Sequence, residues 1–515
     1  MLLRTLNTFL TVMLWLLCSL WLGCRFGDSE PSITRMEDLP VLPSAPSQRD
    51  LPRGASAEVR DLTVALVGEV RGELEPCGCP TLPFGGFERR STQLEKLKAT
   101  ALGPVFHVDA GDTLVKGFST KRIDKLETRA AEILRLSQLV GVDVWVPGSS
   151  DLLAFSPDEL LAVTGPKRIS ATWIKPNGEP LLPRSIVLDR DGIRLGVVGI
   201  SGPPPNDSGL TFLDPIAATQ AALKDLPPDL DWVVAASNLD ENKVASFAQD
   251  VKGLSAILST RGKQYDSPTL STEQTPVIET PDRGRYLQVI HARLGSEPSS
   301  PLLLHPEAAT WRARLASSRR GEADKLQEDG AGRNLGLVNT IPLSADLDSP
   351  GEISDRLVRY KADRRDEAAK NAAKTEPHTQ AYASSGACVN CHSGEFARWA
   401  LTGHAQAWLA LVERQETENP ECIGCHTTAY GEPGGLGELT RSNIRKFKGV
   451  QCEMCHGPLA GHPSDPDVSA RPVQESDCIV CHDEANSPKF EFEQYLAQAS
   501  CQGGSPSIIP KPPEP

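Results

Sequence analysis

The sequence predicts an α/β layered N-terminal domain followed by a smaller, mostly α C-terminal domain whose core comes largely from bound cofactors. Three observations lead there. The chain has 515 residues, and single hydrophobic cores stop growing near about 250–300 residues. Short β-rich runs alternate with helical stretches through roughly the first 298 residues. Nine of the 13 cysteines lie after residue 387, so something local consumes cysteine in the last quarter. The formal net charge of −14 argues against a nucleic-acid partner, because phosphate neutralisation needs clustered Lys and Arg.

Residues 1–24 carry Arg4 and then an apolar run from Phe9 to Gly23, shorter than a spanning helix and typical of a signal-peptide h-region. The chain is therefore expected to be exported, to a bacterial periplasm or the outer face of a membrane. Leu22-Gly23-Cys24 looks like the end of a lipoprotein signal, with Cys24 as the lipid anchor, although Trp21 stands where a small aliphatic residue is usual. An uncleaved N-terminal anchor and plain secretion are the alternatives. Residues 25–60 hold five prolines among polar residues and no apolar period, which predicts a flexible tether.

Residues 61–298 form the expected α/β domain. Leu62–Val67, Val105–Val108, Val142–Val146, Leu195–Ile200, Trp232–Ala236 and Ala256–Leu258 read as strands. Lys121–Leu139 reads as a helix with a stop at Gly141, and Asp214-Pro215 opens another with a cap and an N1 proline. The segments VGEVRGELEPCGCP, GGFERRSTQLEKL, HVDAGD, VWVPGSSDLLAF, LGVVGISG, VVAASNLDENKVASFAQ, AILST and VIETPDRGRYLQVIHARL resemble the calcineurin-like metallophosphatases of the 5′-nucleotidase and UDP-sugar hydrolase branch. That resemblance implies a layered fold and two metal ions. At the matching positions Glu69 replaces an Asp, Arg71 replaces a His, and Asp112 keeps the D-A-G-D ligand. Ser149-Ser150 replaces an Asn-His pair, Ser237-Asn238 a Ser-His pair, and the last Gly-His motif falls near Thr260-Arg261. A two-metal hydrolase needs several convergent imidazoles and carboxylates, and Glu69 with Asp112 cannot supply them. A degenerate pocket is expected, in a domain acting as scaffold or binding module.

Cys77-Gly78-Cys79 lies beside that pocket and resembles an exported branch of the same family that keeps a C-G-C motif. It makes Cys77 and Cys79 redox candidates or soft-metal ligands; a strained local disulfide, or two buried thiols with no role, are the bland readings. Residues 299–377 read as a polar helical connector, with Ala308–Gln327 and Ile353–Lys374 helical. The second carries charges of both signs, expected to form a solvated face that spaces the domains.

Residues 378–497 repeat one pattern four times: Cys388-Val-Asn-Cys391-His392, Cys422-Ile-Gly-Cys425-His426, Cys452-Glu-Met-Cys455-His456 and Cys478-Ile-Val-Cys481-His482. Composition alone would give roughly 0.006 occurrences of C-x-x-C-H in the chain. Two thiols at this spacing can each form a thioether to one haem vinyl group, and the next residue sets an imidazole under the iron. Four covalently bound c-type haems are expected, with His392, His426, His456 and His482 as proximal ligands. Structural zinc or disulfides would not need a histidine after every second cysteine.

Methionine is excluded from the sixth coordination site: Met1, Met13 and Met36 lie in the signal and tether, and Met454 sits inside an attachment loop. The spare histidines within the segment are His404, His462 and His378, so bis-His irons are expected, with at least one five-coordinate. A helix over Gly394–Leu411 would set Phe396, Trp399, Ala400, His404, Ala407, Trp408 and Leu411 on one face. The segments ACVNCHSGEFARWALTGHAQAWLAL, CIGCHTTAYG, GVQCEMCHGPLAGH and CIVCH resemble the tetrahaem cytochrome c-554 family. That resemblance implies a mostly helical electron carrier with His404 and His462 as axial ligands and a mixture of bis-His and five-coordinate haems. The Gly- and Pro-rich residues 498–515 are expected to be disordered, and Cys501 has no assigned role.

The expected function is electron transfer through closely packed haems, with redox proteins or quinol-linked donors as partners, a membrane attachment through lipid or N-terminal anchor, and no nucleic acid. One alternative is a redox enzyme acting on a small nitrogen or sulfur compound at an open haem or the Cys77/Cys79 pair. The other is a metal-dependent nucleotide or sugar-phosphate hydrolase.

Overall fold

The computed structural model describes residues 60–76, 83–115, 123–262, 275–295, 300–304, 334–373, 382–414, 416–465, 467–482, 487 and 489–499. The signal-like segment, Cys24, residues 25–59 of the tether, Cys77 and Cys79, the 308–327 stretch, His378, Cys501 and residues 500–515 lie outside the described residues, whereas Arg60 already belongs to a strand and residues 498–499 end helix Phe492–Ala499 rather than opening the tail.

The N-terminal domain is built on two sheets. The strands run β1 (Arg60–Val67), β2 (Val105–Asp109), β3 (Val144–Trp145), β4 (Lys167–Arg168), β5 (Trp173–Ile174), β6 (Ser185–Arg190) and β7 (Ile193–Ile200). They continue as β8 (Thr211–Phe212), β9 (Trp232–Ser237), β10 (Ala256–Gly262), β11 (Val277–Pro281), β12 (Tyr286–Leu294), β13 (Leu303–Leu304) and β14 (Leu335–Pro342). One sheet has the order β13-β14-β12-β1-β2-β3-β4, the other β11-β10-β9-β7-β6, and β5 pairs with β8 apart from both. β1, β2, β3 and β4 are mutually parallel, as are β7, β9, β10 and β11, while β12 and β6 run antiparallel to their neighbours.

The near-continuous Val, Leu and Ile runs of β1, β2, β7 and β9 are those of strands buried on both faces. Leu62, Val64, Leu66, Phe106 and Val108 meet Leu195, Val197, Trp232, Val234 and Leu258 between the sheets. Helices Phe87–Thr100 and Ile123–Leu139 cover the outer face of the first sheet through Leu94, Ile133 and Leu134. Helices Pro215–Asp225 and Glu241–Asp250 cover the second through Ala218, Val244 and Phe247. The result is four layers, helix–sheet–sheet–helix. Asp214 caps its helix as expected, accepting from the Ala217 amide at 2.9 Å.

Two expectations are corrected. The domain does not end at residue 298, because β14 lies inside the first sheet, antiparallel to β12 from Tyr286↔Pro342 to Arg293↔Leu335. Nor is the stretch after it a solvated spacer. Helix Glu352–Ala372 puts Ile353, Leu357 and Tyr360 into the core under the first sheet, and its far end puts Ala368 into the C-terminal core with Trp408, Leu411 and Ile423. Its charges reach across to both domains: Arg356 pairs with Glu132 at 2.5 Å, Lys361 with Glu75 at 2.5 Å, and Arg365 with Glu418 at 3.0 Å. The apolar residues at 353, 357 and 360 follow helical spacing, but the surrounding charges hid a face only three residues wide.

The expected helix over Gly394–Leu411 is two, Ser393–Trp399 and Gly403–Glu413, because Thr402 turns out of the helix and caps the second at the Ala405 amide. Short helices dominate the remainder of this domain, and its buried apolar cluster is small: Ala368, Trp408, Leu411, Ile423, Tyr430, Leu436 and Phe447.

Leu357→Ala should lower stability by about 2–5 kcal/mol in a urea titration; a change within about 0.5 kcal/mol, the level of a surface site, would restore the spacer reading. Two buried histidines give the N-terminal domain an acid-sensitive part of its stability. Burial, with the nearby Arg90 and Lys98 charges, lowers His107 to about 3, and burial lowers His291 to about 4. Both fall below their ordinary value, so the unfolded chain takes up protons first, and this stability is full above pH 6.5 and declines as pH falls. Three acids act the other way: burial raises Asp109 to about 6, Glu279 to about 7 and Asp151 well above the usual carboxylate range, and their contributions are lost as pH rises through those values. His291→Gln should therefore make the change in stability from pH 7 to pH 5 more favourable than in the wild type by about 2 kcal/mol in paired urea titrations, and an identical change in both proteins would exclude this role.

Candidate functional site

Each C-x-x-C-H motif sits on a short helical turn, which brings its two thiols to one side and the following imidazole beside them. The Cys391 and His392 amides donate to the Cys388 carbonyl at 3.2 and 2.9 Å, and the Cys481 and His482 amides do the same to Cys478 at 3.0 and 2.9 Å. The second motif ends helix Pro420–His426, opened by Asn419, whose side chain accepts from the Glu421 amide, with Pro420 at the first position. The third forms helix Cys452–His456.

All four motifs open onto one cavity of about 2640 Å³, lined by the eight cysteines, by His392, His426, His456 and His482, and by His404 and His462. Ordinary small-molecule pockets measure roughly 300–1,000 Å³. A space several times larger, edged by paired thiols each with an adjacent imidazole, fits covalently attached haems.

Two histidine pairs cross this space. The His392 and His462 rings stand 6.5 Å apart and nearly parallel, and the His404 and His482 rings stand 6.0 Å apart. Imidazoles sharing one metal, each with its nitrogen about 2 Å away, place their centroids roughly 6 Å apart. His462 and His404, the spare histidines of the segment that the structure describes, each stand beside the histidine of a C-x-x-C-H motif. Among the described residues, neither His426 nor His456 has such a ring contact. The outer nitrogens are held: Nδ1–H of His426 donates to the Ala407 carbonyl at 2.7 Å, that of His456 to Arg471 at 3.1 Å, and that of His462 to Val468 at 3.2 Å. His482 Nδ1 pairs with Ser487 Oγ at 2.8 Å. This fixes ring orientation and leaves Nε2 to face the cavity.

A residue that sequence reasoning passed over ties two motifs together. Glu453, between the cysteines of the third motif and buried, accepts from the Ala383 and Ser384 amides at 2.7 Å each and from Leu459 at 2.9 Å. Gln451 accepts from the Ser385 amide at 2.7 Å, so the third motif caps the entry to the first. Glu453 is the sole acid among the eight spacer residues of the four motifs, and that was the available signal.

The other candidate site lies at the C-terminal ends of β1, β2, β3 and β9. The main chain is strained there: Glu69, Arg71 and Asp112 have φ of 46°, 50° and 52°, in the left-handed region that side chains avoid. Gly68 precedes them because a Cβ would fall 2.4 Å from Thr260 Cγ2. The Glu69 amide donates to the Gly111 carbonyl at 2.7 Å, so the loops bearing Glu69 and Asp112 are neighbours. Their carboxylates are engaged. Arg71 approaches Glu69 at 3.4 Å, and Ser150 donates to Asp112 from its amide at 3.1 Å and its hydroxyl at 2.7 Å.

Asn238 serves the main chain, donating to the Ala110 and Val146 carbonyls at 2.8 and 3.0 Å and accepting from Gly202 at 2.6 Å. Ser149 donates to the Pro203 carbonyl. Asp151, which the sequence reading did not single out, accepts from the amides of Asp112, Thr113, Leu114 and Gly148 and fixes the loop. With the Arg71 guanidinium on Glu69 and the Ser150 hydroxyl on Asp112, the pocket does not fit a pair of metal ions. Among the described residues no group of three or more His, Cys, Asp or Glu is disposed to hold one. The two sites are neighbours in the chain's path, since Glu73, Glu75, Pro76 and Pro83 of the N-terminal domain also line the large cavity.

The N-terminal part is similar in architecture to sulfate thiohydrolase SoxB of Thermus thermophilus, at 18% identity and a TM-score of 0.46 over 62% of each chain. It is also similar to the calcineurin-like phosphoesterase YfkN of Bacillus subtilis, at 14% identity and a TM-score of 0.43, over 59% of this chain and 98% of that one. The strand order described above, independently of these neighbours, makes this part a layered α/β domain. The chain is 29% identical over 104 residues to cytochrome c-554 of Nitrosomonas europaea, covering 17% of this chain and 43% of that protein's length, less than half of it. Residues 387–457 match the family described as cytochrome c554 and c-prime, a family that implies covalently bound c-type haems.

Proposed function

We propose that this chain is an exported tetrahaem cytochrome c that carries electrons along closely packed haems, with its layered α/β domain acting as a catalytically silent scaffold or binding module. The observation that carries this reading is the single cavity onto which all four C-x-x-C-H motifs open. The haems would supply one-electron chemistry. The cysteine pairs Cys388/Cys391, Cys422/Cys425, Cys452/Cys455 and Cys478/Cys481 anchor them, and His392, His426, His456 and His482 are the proximal ligands. The ring spacings support His462 opposite His392 and His404 opposite His482 as bis-His sites; without methionine ligation, low potentials follow. The silent role of the α/β domain is supported by the engagement of Glu69 with Arg71 and of Asp112 with Ser150. Export, attachment through Cys24 or the N-terminal segment, and redox-protein or quinol-linked partners complete the proposal.

A second reading, reduction or oxidation of a small nitrogen or sulfur compound, is favoured by one observation. His426 and His456 lack a facing imidazole among the described residues, and one spare histidine of the segment, His378, cannot serve both. An iron left open is where a small ligand binds.

Mass measurement of the intact protein should find four haems, and electron paramagnetic resonance should find low-spin and high-spin irons together. His462→Ala and His404→Ala should each convert about one quarter of the iron from low-spin to high-spin; unchanged spin states in both variants would sink the ligand assignment. Carbon monoxide should bind to part of the reduced haem. If none binds, electron transfer is the whole function.

A further inference from the structure

The two domains meet around the second attachment motif. Helix Ile123–Leu139 of the N-terminal domain presents Arg129, which pairs with Glu421, the residue immediately before Cys422. Its Nε donates to the Gly72 carbonyl at 2.8 Å, one residue beyond Arg71 in the strained loop. The Tyr360 hydroxyl donates to the other Glu421 oxygen at 3.3 Å, and Asn419 Nδ2 donates to Glu75 at 3.4 Å. Arg129, Tyr360 and Glu421 line the same cavity as the cysteines. Burial opposes the guanidinium's charge, and the carboxylates of Glu421, Glu73 and Glu75 outweigh it, holding Arg129 protonated above its ordinary range.

We propose that Arg129 is a positioning residue through which the N-terminal domain sets the reduction equilibrium of the haem at Cys422/Cys425, by pairing with Glu421 and being aimed by the Gly72 carbonyl. This rests on the reading that a haem occupies that motif. The effect is electrostatic. Adding an electron to a haem is disfavoured beside an uncompensated carboxylate, and in a partly desolvated site the effect is screened less than at the surface. The Arg129–Glu421 pair is neutral as a unit, and neither member is fully exposed, with 17% and 24% of the side chains accessible. The guanidinium therefore cancels a charge that would otherwise stand one residue from a thioether. Because the cation belongs to one domain and the haem helix to the other, the loop bearing Glu69 and Arg71 becomes part of that haem's electrostatic surroundings.

The test is a redox titration of the full-length holoprotein, followed spectroscopically, with the haem content of every variant weighed by mass. Arg129→Gln should shift one of the four haems by about tenfold in its reduction equilibrium toward the oxidised form, which is about 59 mV for one electron, and leave the other three in place. Glu421→Gln should shift the same haem the opposite way, and it keeps the test alive if Arg129→Gln fails to fold. Four unchanged potentials in a variant carrying four haems, or shifts of the same sign in both variants, would overturn the proposal and leave Arg129 a structural staple. A wild-type protein whose mass accounts for three haems, with Cys422 and Cys425 unmodified, would instead overturn the haem reading beneath it.

Discussion

The C-terminal domain is organised around the cavity onto which its four C-x-x-C-H motifs open. Roughly a hundred residues surround the cavity, yet the buried apolar cluster beside it holds seven members, one of them, Ala368, borrowed from helix Glu352–Ala372. Interiors pack as densely as organic crystals, so short helices such as Ser385–Cys388, Cys452–His456 and Glu475–Cys478 have no stable arrangement from apolar contact alone. What holds them is a set of directed bonds. Glu453 and Gln451 join the third motif to the entry of the first, the Val450 amide donates to the His404 carbonyl at 2.9 Å, and Trp399 donates to the Val450 carbonyl at 2.8 Å. The histidine pairs run across the sequence in the same way, linking the first motif to the segment after the third and the segment after the first to the fourth.

How much of this was legible depended on whether the signal was local. The C-x-x-C-H motifs and six of the strands could be read directly, because each is a short pattern with one physical cause. His404 and His462 could be named as spare imidazoles but not matched to partners, since pairing is set by chain crossings that no spacing encodes. β14 was missed because it follows a long separation from β12 and has a neighbour on each side, a non-local arrangement. Helix Glu352–Ala372 was misread for the opposite reason. Its dense charges suggested a solvated surface, whereas Arg356, Lys361 and Arg365 pair with acids on two domains. Cys77, Cys79, Cys24 and His378 stay where the sequence left them, outside the described residues.

The strained loops of the N-terminal domain are fixed by their own hydrogen bonds. Glu69, Arg71 and Asp112 keep positive φ values, a conformation costing of order 1–3 kcal/mol each and normally tied to function. The loop bearing Asp112 is held by hydrogen bonds that Asp151 accepts from four backbone amides and by the Asn238 staple. A serine and an arginine now complete the carboxylates. Gly72, next to Arg71 in the same loop, accepts from Arg129.

Helix Glu352–Ala372 also acts as a ruler. Its 21 residues extend about 31 Å at 1.5 Å per residue, with one end seated under a sheet and the other against the helices of the cavity. A rod clamped at both ends has a fixed phase as well as a fixed length. Inserting or deleting one residue between Tyr360 and Ala368 would turn one clamp by about 100° relative to the other. The two domains are thus indexed to each other like keyed parts on a shaft, and the angular setting of that shaft decides which face of the cavity meets the N-terminal loops.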